Sequence, residues 1–162
     1  EVLKGLLRTG FLWDRVRVHG GAYGSGNSFD FFTGDYSLLS YRDPNLAETL
    51  EVYDEIADFL NHLELPSEEL TKIIIGCVGK MDPPLTPDLK GKASMIDHLT
   101  GRTHEMKQKL REELLSTQLG DLKGYAPLFE KIRDGGHVCA LGNEDKLKKS
   151  KSVFSELVKV FH

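Results

Sequence analysis

The sequence predicts an α+β fold, a two-layer domain with helices on one face of an antiparallel-dominated sheet. Three observations predict it. Apolar residues recur at three- and four-residue spacing along most of the chain, the period of helices with one buried face. Between Trp13 and Asn45 that period gives way to alternation and a turn, and five of the sixteen glycines fall in this stretch. Near the C-terminal end, His137 to Leu141 (HVCAL) reads as a further short apolar strand after Gly135-Gly136.

Taken in order, residues 2–16 place Val2, Leu3, Leu6, Leu7 and Val16 on one side of an amphipathic helix, with Phe11, Leu12 and Trp13 filling its C-terminal half. Gly5 and Gly10 each weaken it by about 1 kcal/mol relative to alanine, so a partner surface must hold it. Arg15 and Arg17 fall in or beside the last turn, where cations complement the helix dipole. Gly20 and Gly21 end the helix with the left-handed geometry of a C-cap.

Ala22 to Phe32 then alternates as a strand, with Tyr23, Ser25, Asn27 and Phe29 on one face. Thr33-Gly34-Asp35 is a turn, and Tyr36 to Tyr41 returns as the second strand of a hairpin. Asp43-Pro44 starts the next helix, Asp43 as N-cap and Pro44 at the first helical position. Leu46, Leu50, Tyr53, Ala57 and Leu60 follow along that helix at spacings of four and three.

Ser67 caps a run through Leu70, Ile73, Ile74 and Cys77, and Met81 to Pro87, with three prolines, is a loop. Helices follow from Pro87 to Leu99, from Thr103 to about Thr117, and from Asp121 to Arg133, the last kinked or delayed by Pro127. Val153 to Phe161 forms a closing strand or helix. Helical periodicity is already under way at Val2, which reads as a fragment cut from a longer chain, with a first strand expected upstream of Glu1. The whole of 1–162 reads as one domain.

Composition narrows the function classes. A formal charge of −4 and a pI near 5.9 argue against nucleic-acid binding. No apolar run approaches the roughly 20 residues of a membrane span. Cys77 and Cys139 sit in apolar runs and read as buried free thiols. His104-Glu105 resembles the start of a His-Glu-x-x-His zinc motif, but position 108 is Gln108, so a surface pair on a helix is expected and no metal ligand is assigned. Glycines at 20, 21, 24 and 26 fit neither a dinucleotide fingerprint nor a P-loop, since Phe29 stands at the third fingerprint position. The basic run from Lys146 to Lys151 reads as a solvated face.

Arg17 and Tyr23 remain. A guanidinium and a phenol both donate hydrogen bonds to an oxygen gaining negative charge, as an oxyanion hole requires. On the residues alone a second reading stays open, in which Arg17 serves only the helix end and Tyr23 only fills core.

The elements FLWDRVRVHGGAYG and SYRDPN, with Thr49-Leu50, LTKIIIG, the proline loop, the Gly101/Thr103/Glu105 segment and Asp121-Leu122-Lys123, appear in an order that resembles the C-terminal domain of the presequence protease and falcilysin branch of the pitrilysin (insulinase-type) zinc metallopeptidases. The likeness covers nearly the whole chain, and its wording is closer to plant-organelle and parasite forms than to bacterial ones. It departs from the family at His19 and at Gly24-Ser25-Gly26-Asn27, where a Gly-Gly pair followed by Cys is more usual.

The resemblance implies a metallopeptidase-superfamily (ferredoxin-like) domain, one of four in a clamshell enzyme. Zinc would be bound by another domain and none by this one. The resemblance assigns Arg17 and Tyr23 to holding the substrate carbonyl, with Gly20, Gly21 and Gly24 letting the substrate approach. It implies short unfolded peptides as substrates, the N-terminal half of the same chain as partner, and a mitochondrial or plastid-type organelle, or a parasite vacuole, as the compartment. The 162 residues alone are expected to be inactive. The competing expectation is a scaffold domain of the same superfamily that has lost catalysis; a stand-alone small-molecule binding module is weakened by the lack of any phosphate or metal motif.

Overall fold

A computed structural model describes residues 1–30, 33–81 and 83–160. It is α+β, with helices packed against a two-stranded antiparallel sheet, as the sequence predicts. The first element, α1 (Val2–Thr9), is the centre of the core. Its Leu7 and the following Leu12 are fully buried, and Val2, Leu3 and Leu6 nearly so. Full burial of a leucine contributes about 1.5–3 kcal/mol, which is how a helix carrying Gly5 is held despite its weak propensity.

The predicted single helix over 2–16 is interrupted. Gly10 leaves helical geometry, with φ −107° and ψ −93°. The chain then re-enters a helix that widens into a π-helix over Trp13–His19. Beyond it come β1 (Gly24–Phe29) and β2 (Tyr36–Tyr41), paired antiparallel with Gly24 opposite Tyr41 and Phe29 opposite Tyr36. The second strand has the predicted bounds. The first is shorter than predicted at its start, and the part of that prediction on residues 31 and 32 lies outside the described residues. The Ser25 hydroxyl donates to the Leu12 carbonyl at 3.0 Å, fastening β1 to the start of the π-helix.

The predicted helix from Asp43 begins later and is split into α2 (Ala47–Asp54) and α3 (Ile56–Asn61). Asp43 is not its N-cap. Its carboxylate accepts from the Asn45 backbone N–H at 2.9 Å and from the Thr49 hydroxyl at 2.7 Å, which makes a turn in place of a helix start. In α4 (Ser67–Met81), Ser67 is already helical, and the Pro66 carbonyl takes the N–H groups of Glu69 and Leu70.

The next two predictions hold closely, as α5 (Pro87–Thr100) and α6 (His104–Leu115), the latter capped by the Thr103 hydroxyl. Residues 121–133 divide between α7 (Leu119–Lys123) and α8 (Ala126–Gly135), with Pro127 in the first turn of the second, the delayed start its ring favours.

Three expectations are corrected at the C-terminal end. His137 to Leu141 is not a strand: it has no pairing partner among the described residues, and Val138 and Leu141 are exposed. Cys139 is exposed, so only Cys77 is a buried thiol. The closing strand or helix is reduced to α9 (Glu144–Lys149) and a 3-10 turn at Lys151–Val153, with irregular chain after it as far as the structure is described. Lys148 of the basic run pairs with Glu144 at 2.6 Å, a surface pair as expected of a solvated face.

Candidate functional site

The site residues lie where the π-helix leaves the core and becomes β1. The Gly20 N–H donates to the Arg15 carbonyl five residues back at 3.0 Å, which is the widened π register. Gly21 then donates to Arg17 and Ala22 to Val16. A Cβ on Gly20 would stand 2.5 Å from the Val16 carbonyl oxygen, so the closed turn excludes any side chain there. Gly20 itself is right-handed, at φ −76°, against the left-handed cap expected of it. Gly21 carries the left-handed conformation, at φ +77°. Gly24 has neither constraint, since its nearest neighbour for a Cβ, the Tyr41 Cβ, is 3.8 Å away.

Arg17 is half-buried, and its guanidinium carbon lies 3.9 Å from the centroid of the Trp13 ring. That cation–π stack limits where the guanidinium can go. Arg15, on the same element, pairs instead with Glu55 at the α2–α3 junction and so anchors the π-helix to the helical layer. His19 turns its Nδ1 back to the Asp14 carbonyl at 2.9 Å, so the side chain between the arginine and the glycines is engaged within its own element.

The segment Ser40 to Asn45 braces this exit from the other side. The Asn45 side-chain amide donates to the Gly20 carbonyl at 2.6 Å, and Pro44 Cγ lies 3.7 Å from where a Gly21 Cβ would be. Thr49, the one buried polar residue of the described core, holds Asp43 in turn. Lys146 donates to the Pro44 carbonyl at 3.3 Å. The SYRDPN motif is therefore a clip on the glycine corner.

Tyr23 stands one step beyond the sheet ladder, opposite Arg42, and its N–H donates to the Arg42 carbonyl at 3.4 Å. It is 66% exposed. The reading of Tyr23 as core filler is thereby overturned. Its ring meets Tyr41 edge-on, with centroids 6.0 Å apart, and the Arg42 guanidinium lies 5.7 Å from the Tyr23 centroid and 5.4 Å from that of Tyr41. Arg42 is also the one described non-glycine residue with positive φ, at +47°. Trp13, Tyr41 and Arg42 were legible as residues but not as neighbours of the site. The juxtaposition of Tyr-Arg with Asp-Pro was the available signal.

Asn27 and Tyr36, on the two strands of the hairpin, and Tyr53 of α2 have buried polar atoms without a hydrogen bond of good geometry, although Asn27 stands near the Tyr36 hydroxyl and Ser40 near that of Tyr53. Burial pushes the Tyr36 phenol far above its usual value of 10.0, and the nearby Asn27 side chain offsets only part of this. Burial raises Tyr53 in the same way, with Ser40 opposing and Asp43 adding. Among the described residues no group of three or more His, Cys, Asp or Glu is placed to hold a metal ion.

The architecture is a helix-rich α+β domain with Arg17 half-buried on the π-helix and Tyr23 exposed at the start of the hairpin, on either side of Gly20 and Gly21. The family model described as the PreP C-terminal domain matches residues 1–144, and the chain belongs to that family. Presequence protease 1, chloroplastic/mitochondrial, of Arabidopsis thaliana is 45% identical over 150 residues, 93% of this chain and 14% of that protein. Protein HypA of Clostridium perfringens is 39% identical over 160 residues, 99% of this chain and 16% of its own length. A mitochondrial presequence protease of Aspergillus oryzae is 34% identical over 146 residues, 89% of this chain and 14% of the relative. The chain thus spans between 14% and 16% of the length of these relatives. The plant relative is more identical than the bacterial one, which covers slightly more of the chain. No described helix is long and apolar enough to cross a membrane.

Proposed function

We propose that residues 1–162 form the C-terminal domain of an oligopeptide-degrading zinc metalloendopeptidase, and that Arg17 and Tyr23 hold the scissile carbonyl and stabilise its tetrahedral intermediate. The observation that carries this reading is Tyr23: an exposed tyrosine whose ring is nevertheless held by two neighbours, beside a corner that admits no side chain at Gly20. Membership of the PreP C-terminal domain family supports it.

Zinc, held by another part of the whole enzyme, would supply Lewis-acid activation of water, and no residue described here would hold it. This chain's residues act on the carbonyl. Arg17 donates a charge-assisted hydrogen bond from a guanidinium limited in its motion by Trp13, and Tyr23 donates a hydrogen bond from its phenol, keeping its proton, as the carbonyl oxygen becomes an anion. Gly20 and Gly21 make the tight turn that aims the chain at Tyr23, and Gly24 keeps the strand beside Tyr23 free of a side chain so that it can approach the substrate. Substrates are short unfolded peptides, the N-terminal half of the protein closes the site, and the compartment is a mitochondrion or plastid-type organelle, following the relatives' names.

The test uses the full-length enzyme. Arg17→Ala and Tyr23→Phe should each lower kcat/KM by about 10²–10³-fold, the range for loss of one oxyanion donor, while zinc content and thermal midpoint stay unchanged. Loss of zinc in either variant, or near-normal turnover, would contradict the assignment.

A further inference from the structure

We propose that Arg42 is a positioning residue for Tyr23: held in a left-handed backbone conformation, it lays its guanidinium across the Tyr23 and Tyr41 rings and fixes the direction of the Tyr23 hydroxyl. The proposal rests on the reading of Tyr23 given above and adds a residue to it.

Three independent features meet at Arg42. Its φ of +47° lies in a region that costs a non-glycine residue roughly 1–2 kcal/mol, and such strain persists only where the surroundings impose it. A glycine or asparagine would take this conformation more cheaply, so the arginine side chain is held there at a cost. Its guanidinium lies within 6 Å of both ring centroids, the range of an attractive cation–π contact. Its charged contacts among the described residues are these two rings, with no carboxylate among them.

Backbone and side chain act on the same neighbour. The Arg42 carbonyl takes the Tyr23 N–H, and Tyr41 meets the Tyr23 ring edge-on at 78°. An exposed tyrosine on an unbraced strand end would sample several χ1 rotamers. Here the ring has a cation on its face, an aromatic neighbour against it and a fixed backbone anchor. A donor must hold its direction to within a few tenths of an ångström to favour the transition state over the ground state, and the bracing supplies that direction.

Glycine at position 42 removes the side chain without opposing the left-handed backbone, so a loss of kcat with no loss of stability reports the guanidinium. In the full-length enzyme, Arg42→Gly relaxes the strained backbone and removes the guanidinium. The expected result is a thermal midpoint equal to or above that of the parent. We expect kcat to fall roughly tenfold with KM changed by less than about twofold. Arg42→Lys, which keeps the charge but not the planar group, should recover part of the loss. In a Tyr23→Phe background Arg42→Gly should have no further effect, because its target hydroxyl is gone.

If Arg42→Gly lowers kcat equally in both backgrounds, or lowers only the thermal midpoint, the positioning role is overturned while Tyr23 keeps its own. Normal turnover in Tyr23→Phe alone would overturn the role of Tyr23 and this proposal with it. Should the glycine variant fail to fold, Arg42→Asn, which also tolerates the left-handed region, replaces it in the same cycle.

Discussion

Tyr36 shows how one residue of the hairpin couples the sheet to the core. Its ring packs edge-on against Phe129 of α8 at 5.2 Å, so its apolar body joins the two layers, while its buried hydroxyl has the Asn27 side chain near it but no hydrogen bond of good geometry. An unsatisfied buried hydroxyl costs about 1–3 kcal/mol, so Tyr36→Phe should be neutral or stabilising by up to about 1 kcal/mol. The pH dependence follows from the raised phenol. In the unfolded chain Tyr36 ionises near 10.0, whereas in the fold it stays protonated well above that. Above pH 10 the unfolded state binds fewer protons than the folded state, so stability present below pH 10 is lost as pH rises further. Urea midpoints at about pH 8 and about pH 10.5 check this. The Phe variant should show a shallower alkaline loss, with Tyr53 accounting for part of what remains. A loss identical to that of the parent would show that the buried phenol has no role in it.

At the scale of elements, the glycine corner is where the sequence was read well for position and poorly for mechanism. Gly20 and Gly21 were legible as the end of the helix. The π register was not, because widening a turn by one residue leaves composition and apolar spacing almost unchanged. The split between α2 and α3 was hidden for a related reason. Val52 and Tyr53 of α2 and Ile56, Ala57 and Leu60 of α3 face one core, so apolar spacing runs on through Glu55, where ψ is −9°. Asp43 misled because an aspartate before proline suits a turn as well as a helix cap. The hairpin, α5 and α6 were legible because alternation, turn residues and the Thr103 cap act locally. A prediction belongs here. Gly20→Ala forces a Cβ onto the Val16 carbonyl and should cost about 2 kcal/mol or more, read as a lowered denaturant midpoint. Gly24→Ala meets only ordinary contact and should change stability by less than about 0.5 kcal/mol while lowering peptide turnover. Equal destabilisation by both would remove the distinction drawn between the two glycines.

Over the whole molecule, one core organises what is described. Side chains from α1, α3, α4 and the α7–α8 region close around Leu7, Leu12, Ile56, Leu60 and Leu122. The π-helix and the hairpin sit at its edge, held by Val16, Ala22, the Ser25 hydroxyl and the clip from Asp43 to Thr49. The corner is thus fixed from the core side, with Tyr23 exposed beyond it. By contrast, α5 buries no residue, and its Leu89, Met95, Ile96 and Leu99 are exposed. The family could be read from the sequence because motif order survives along nearly the whole chain. The bracing of Tyr23 could not, since residues 23 and 42 meet only through hairpin register.

The central claim is that Arg17 and Tyr23, which hold the scissile carbonyl, bind the transition state more strongly than the bound peptide. The direct measurement is the affinity of the full-length enzyme for a phosphinic pseudopeptide, whose tetrahedral oxyanion mimics the intermediate, set beside kcat/KM for the parent, Arg17→Lys, Arg17→Ala and Tyr23→Phe. The account predicts that inhibitor affinity and kcat/KM fall together across the series, by similar factors. Inhibitor affinity that stays constant while kcat/KM falls would contradict it.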